Sequence, residues 1–74
     1  NNGVNMNIIT QTDKRATVFY RGKYFVVSDN GAETLIFPSD SAGNISNYLD
    51  VGGAVDTTLT QVLADFSQYF HGGY

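Results

Sequence analysis

The stretch Tyr24-Phe25-Val26-Val27-Ser28-Asp29-Asn30-Gly31-Ala32-Glu33-Thr34-Leu35-Ile36-Phe37 limits this chain to few folds. Two runs of β-branched and aromatic residues flank an Asn-Gly pair, a strong short-range signal for a β-hairpin. With Asn30 and Gly31 as a two-residue loop, Asp29 opposes Ala32, Val27 opposes Thr34, Phe25 opposes Ile36 and Tyr24 opposes Phe37. Directly opposed residues share a face of the sheet. Phe25, Val27, Thr34 and Ile36 therefore lie on one side, and Tyr24, Val26, Ser28, Glu33, Leu35 and Phe37 on the other.

A second strand, Ala16-Thr17-Val18-Phe19-Tyr20, precedes this hairpin across Arg21-Gly22-Lys23. Whether the tight turn is Arg-Gly or Gly-Lys, the alternation is preserved. Ala16, Val18 and Tyr20 join the side of Phe25, while Thr17, Phe19 and Arg21 join the side of Tyr24. The β-branched run from Met6 to Thr12 makes a first strand, and Asn1–Asn5 reads as a polar, disordered leader to a single domain spanning residues 6–74. Pro38 has no N–H to give a ladder, so the last hairpin strand is expected to end there. Ile45–Val51 fits either a helical turn or a short edge strand, closed by Gly52-Gly53.

One helix is expected from Thr58 to Phe70. Leu59, Val62, Leu63, Phe66, Tyr69 and Phe70 recur at helical spacing. Thr58 and Gln61 form a capping box, Asp56 suits the positive end of the helix, and Gly72 suits its C-terminal cap. The sequence thus predicts an α+β fold: an antiparallel β-meander of three to four strands with one C-terminal amphipathic helix packed on a face. The helix belongs on the less polar side, over Ala16, Val18, Tyr20, Phe25, Val27 and Ile36.

That assignment leaves a second apolar face. Phe19, Arg21, Tyr24, Val26, Glu33, Leu35 and Phe37 form a candidate protein-binding surface, with an apolar centre and a polar rim. Three occupants are open: the chain's own first strand or Ile45–Val51 segment, a second copy in a homodimer, or another protein. Phe19 and Tyr24 beside Arg21 also suit stacking of single-stranded nucleic acid. The net charge of −3 argues against that use, and every Lys and Arg lies within the first third of the chain.

Catalytic chemistry finds little here. His71 is the only histidine and there is no cysteine, the carboxylates are spread singly, and no phosphate-binding glycine pattern follows a strand. The expectation is a non-enzymatic protein with no cofactor, metal or small-molecule substrate. The absence of cysteine and of a long apolar stretch favours a cytoplasmic setting over a membrane or a secreted one.

Glu33-Thr34-Leu35-Ile36-Phe37-Pro38-Ser39-Asp40, followed by Gly43, Gly52-Gly53 and a terminal helix, resembles short bacteriophage accessory proteins with an "ETxxFPxD" stretch. The resemblance covers the second half of the chain and carries no catalytic residues. It implies a small protein made in an infected bacterium that binds, and inhibits or redirects, a host protein.

Overall fold

The computed structural model describes residues 6–72; the expected leader lies outside them. Five strands form one antiparallel meander in chain order: β1 (Met6–Gln11), β2 (Arg15–Tyr20), β3 (Lys23–Asp29), β4 (Glu33–Ser39) and β5 (Gly52–Val55). Two short helices follow, α1 (Leu59–Ala64) and α2 (Phe66–Tyr69). The α+β class and the meander are as expected, with one more strand and one more helix.

The β2–β3 turn is the Arg-Gly alternative. Tyr20 pairs with Lys23, and Arg21 and Gly22 both take positive φ, 53° and 82°. The β3–β4 hairpin differs from expectation by two residues: Asp29 pairs with Thr34, Val27 with Ile36 and Val26 with Phe37. Asn30 does not adopt the left-handed conformation that a two-residue Asn-Gly loop needs; of the loop, only Gly31 does. Instead the Asn30 side chain accepts hydrogen bonds from the N–H groups of Ala32 and Glu33, and Asp29 accepts from Gly31. These side-chain bonds stabilise a longer loop. Because the slip is two residues, side-chain parity is unchanged and both faces keep their members.

β4 also continues through Pro38, where it was expected to stop. The Pro38 carbonyl accepts from the Ser46 N–H. In a strand the N and O of one residue point the same way, so the missing donor faces the 45–46 segment rather than β3. β5 is built from Gly52 and Gly53, the pair expected to terminate structure. A Cβ on Gly53 would lie 2.1 Å from the Thr34 carbonyl oxygen, and one on Gly52 2.2 Å from that of Tyr69. Glycine permits this strand because no side chain fits between β4 and the end of α2.

The helices cover the side predicted for them. Ala16, Val18, Tyr20, Phe25, Val27 and Ile36 form the core with Val51, Leu59, Val62, Leu63 and Phe66. Thr34, fully buried on this side, donates its hydroxyl to the Thr57 carbonyl. The Thr58–Gln61 capping box is present. The acid at the start of α1 is not Asp56, which takes a positive φ of 52° in the preceding turn. It is Asp29 of β3, which accepts the Leu59 N–H at 3.2 Å and ties the helix to the hairpin.

The expected single helix breaks at Asp65 (φ −142°, ψ 52°). After the break, Phe66 and Phe70 meet Tyr20 with ring centroids 4.8 and 5.0 Å apart, and Phe70 meets Phe25 at 5.1 Å. The chain then leaves the helix, Phe70 bridging to Gly52 and His71 donating its N–H to Val51. Gly72 is therefore not a left-handed helix cap. A Cβ there would lie 2.6 Å from the Val51 Cβ, so the position is small because of crowding.

Candidate functional site

The second face of the sheet gathers six of the seven residues singled out for it. Tyr24 and Phe19 pair across β2 and β3 with ring centroids 4.9 Å apart. Val26 lies between its cross-strand partners Thr17 and Phe37 and is fully buried. Phe19, Tyr24, Glu33, Leu35 and Phe37 are half-buried. Arg21 stands apart: its guanidinium lies 5.1 Å from the centroid of Tyr20, a ring of the helix-side core. The stacking platform read from Phe19, Tyr24 and Arg21 thus keeps its rings while its cation lies over a different one.

Part of this face is covered by its own chain, but the contacts over β2 come from the turn ahead of Ile45 rather than from the first strand or the Ile45–Val51 segment named for it. The segment after β4 folds back across β2: the Arg15 side chain donates to the Gly43 carbonyl at 2.9 Å. Gly43 approaches Thr17 so closely that a Cβ would sit 2.8 Å from its hydroxyl. The turn that starts this segment is held by Asp40, whose carboxylate accepts from Ala42 and Asn44, including the Asn44 side-chain amide. These bonds, those of Asn44 foremost, hold the Asp40 carboxyl below its ordinary value. Ile45 makes an isolated bridge to Ser39, and residues 46–50 form neither of the two elements expected for them.

The cover stops short of Tyr48. Its ring rests on Phe37 at 5.6 Å between centroids, yet the residue is 75% exposed, and Leu49 beside it is 76% exposed. Val55, opposite Glu33 on β5, is 67% exposed and shares the face of Leu35 and Phe37. Sequence reasoning missed these three as surface residues. Tyr48 and Leu49 read as part of a covering segment, and Val55 followed a glycine pair taken as a stop. The alternation from Glu33 to Val55 would have found Val55, had the pairing of β5 been legible.

His71 is exposed and donates its backbone N–H to the Val51 carbonyl. Asp40 is engaged with its own turn. Asp29 is engaged with Gly31, Leu59 and, at 4.0 Å, Lys14. The Gly31 N–H foremost, then the Leu59 N–H and the Lys14 charge, hold the Asp29 carboxyl below its ordinary value against a smaller opposing effect of desolvation. Among the described residues, no three His, Asp or Glu side chains gather as metal ligands, and no helix is long and apolar enough to cross a membrane.

No protein-family model, curated protein or solved structure matches this chain.

Proposed function

We propose that this chain is a non-enzymatic protein-binding module whose contact surface is the second face of the sheet. The observation that carries the reading is the pairing of Phe37 with an exposed Tyr48, beside half-buried Phe19, Tyr24 and Leu35 and exposed Val55. The helix-side core is formed without these side chains. Rigid aromatic groups on a strand scaffold, rimmed by Glu33 and Ser28, are the composition that concentrates binding energy in protein interfaces. Partners are expected to bury Tyr48 and Phe19 at the centre of the contact.

The resemblance of the Glu33–Asp40 stretch to phage accessory proteins sets where to look first, a bacterial host lysate. Immobilised full-length chain is compared with its Phe19→Asp and Tyr48→Ala variants, each checked for fold by circular dichroism. The reading expects one protein, identified by mass spectrometry, to be retained by the native chain and lost from both folded variants. Equal retention by all three would place the contact elsewhere. Binding of oligonucleotides at low salt, abolished by the same substitutions, would favour a nucleic-acid ligand instead.

A further inference from the structure

The tip of the β3–β4 hairpin holds an electrophile, a nucleophile and a base in one hydrogen-bond network. The electrophile is the side-chain amide of Asn30. Its Oδ1 accepts from the N–H groups of Ala32 and Glu33 at 2.9 and 3.0 Å. Two backbone donors on one carbonyl oxygen stabilise the oxyanion that forms when its carbon is attacked. The nucleophile is the Gly31 nitrogen, which closes a succinimide ring when it bonds to the Asn30 Cγ. Ring closure turns only bonds of Asn30, and nothing lies within 4 Å of a Cβ built on Gly31. The proton that must leave the nitrogen already rests on a carboxylate: Asp29 Oδ1 accepts the Gly31 N–H at 2.9 Å. A base in contact with the proton it removes meets the geometric requirement.

The other asparagines among the described residues lack this set. Asn7, Asn44 and Asn47 precede Ile8, Ile45 and Tyr48, whose bulky side chains flank the nitrogen that would attack. The Asn44 amide nitrogen also donates to Asp40 Oδ2 at 3.1 Å. Among the described residues nothing accepts from the Asn30 Nδ2, so its departure breaks no hydrogen bond there.

We propose that Asn30 is a self-modification site, at which the folded chain converts its own asparagine through a succinimide to aspartate and isoaspartate. In the first stage the bond from the Gly31 nitrogen to Cγ forms and the Cγ–Nδ2 bond breaks. The Gly31 proton passes by way of Asp29 to the departing nitrogen, which leaves as ammonia. Water then opens the ring. Its addition at Cγ gives aspartate, and its addition at the backbone carbonyl carbon of Asn30 gives isoaspartate. One water enters, one ammonia leaves, and nothing is oxidised or reduced. Either product adds a negative charge to a chain of net charge −3, close to Asp29 and Glu33. Aspartate still offers an oxygen to Ala32 and Glu33. Isoaspartate routes the backbone through Cβ and Cγ, which lengthens the loop and removes that acceptor, beside the Asp29 tie to Leu59 of α1. The isoaspartyl chain should therefore melt below the aspartyl chain. The conversion uses groups of the loop alone, and stands or falls independently of the function proposed for the second face.

The test holds the full chain and a synthetic peptide of residues 26–35 in the same neutral buffer and samples both over weeks. Mass spectrometry reads the exchange of amide for acid. Peptide mapping assigns it to Asn30 or to Asn2-Gly3, a second such pair that lies outside the described residues. Labelling by an isoaspartyl methyltransferase separates the two products. Asn30 should convert in the folded chain at least as fast as in the peptide. Asp29→Asn keeps an acceptor for the Gly31 N–H but no base, and should slow the conversion with circular dichroism unchanged. Asp29 titrates below its ordinary value and is a weak base, so about tenfold slowing is expected rather than the hundredfold or more of a base matched to the pH. Slower conversion in the folded chain than in the peptide overturns the proposal, because the network then protects the amide. So does an unchanged rate in a folded Asp29→Asn chain; where that variant unfolds, the comparison of native chain with peptide decides.

Discussion

Replacing single glycines by alanine separates two forces that the structure assigns to different positions. Gly31 has a positive φ of 95° with nothing within 4 Å of an added Cβ. Gly52 has no positive φ, but its added Cβ would lie 2.2 Å from the Tyr69 oxygen and 3.0 Å from the Phe70 Cα. Gly53 combines both problems, with φ of 124° and backbone atoms of Thr34 and Leu35 at 2.1 and 2.8 Å. A left-handed conformation costs an L-residue roughly 1–2 kcal/mol, and forcing an atom into a packed site roughly 1–3 kcal/mol. Alanine returns about 0.4–1 kcal/mol by restricting the unfolded chain. The net expectation is a loss of about 0–1.6 kcal/mol for Gly31→Ala, about 0–2.6 for Gly52→Ala and about 1–4.6 for Gly53→Ala. Because the obstructing atoms at both β5 positions are backbone and cannot swing aside, values in the upper half of the last two ranges are expected. For a chain of 74 residues the whole stability is roughly 4–11 kcal/mol, so Gly53→Ala removes a large part of it. The assay is urea unfolding followed by far-ultraviolet circular dichroism, since the chain has no tryptophan. With a slope near 1 kcal/mol per molar urea, each kcal/mol moves the midpoint by about 1 M. If Gly53→Ala costs no more than Gly31→Ala, β5 is not held against β4 as described and the crowding argument fails.

Two further outcomes follow from the core and the carboxylates. Phe66 is fully buried among Tyr20, Phe25 and Phe70, and Phe66→Ala should cost about 3–5 kcal/mol, leaving a chain largely unfolded at 37 °C by thermal melting. Asp29 and Asp40 titrate below their ordinary value of 3.8 in the folded chain. The unfolded state therefore binds more protons in that window, and stability rises with pH there. Their contributions are fully present above the ordinary carboxylate range and are lost as pH falls through the folded values. Melting temperature measured from pH 6 to pH 2 should drop on the acid side, and the drop should be shallower in Asp29→Asn and Asp40→Asn; an unchanged acid limb in both variants would refute this origin.

Much of the fold was legible because alternation is robust. Ala16, Val18 and Tyr20 were placed with Phe25, Val27 and Ile36 even though the hairpin register moved by two residues, since only an odd slip exchanges faces. The register itself was not legible, because Asn30 can serve a turn in two ways, by its backbone or by its side chain, and local sequence does not choose. β5 was hidden because glycine reads as a stop; its reason for being glycine is the Thr34 carbonyl and the end of α2, groups far from it in sequence. The break at Asp65 follows from packing Phe66 and Phe70 against Tyr20, a tertiary requirement that periodicity alone does not contain. At the candidate site, Phe19, Tyr24, Leu35 and Phe37 were found by the same alternation. Tyr48 and Leu49 were not, since nothing local distinguishes a segment that covers a face from one that adds to it.

The claim on which the functional reading depends is that the two faces of the sheet do different work. Phe25 and Phe19 occupy adjacent strands, one fully within the helix-side core and one half-buried on the second face. The direct test is the unfolding free energy of Phe19→Asp beside that of Phe25→Asp. Phe25→Asp should fail to fold, because its charge enters an aromatic core. Phe19→Asp should keep its circular dichroism and lose only about 1–2 kcal/mol. A Phe19→Asp chain that unfolds as completely as Phe25→Asp would make the second face core as well, and would contradict its role as a surface for a partner.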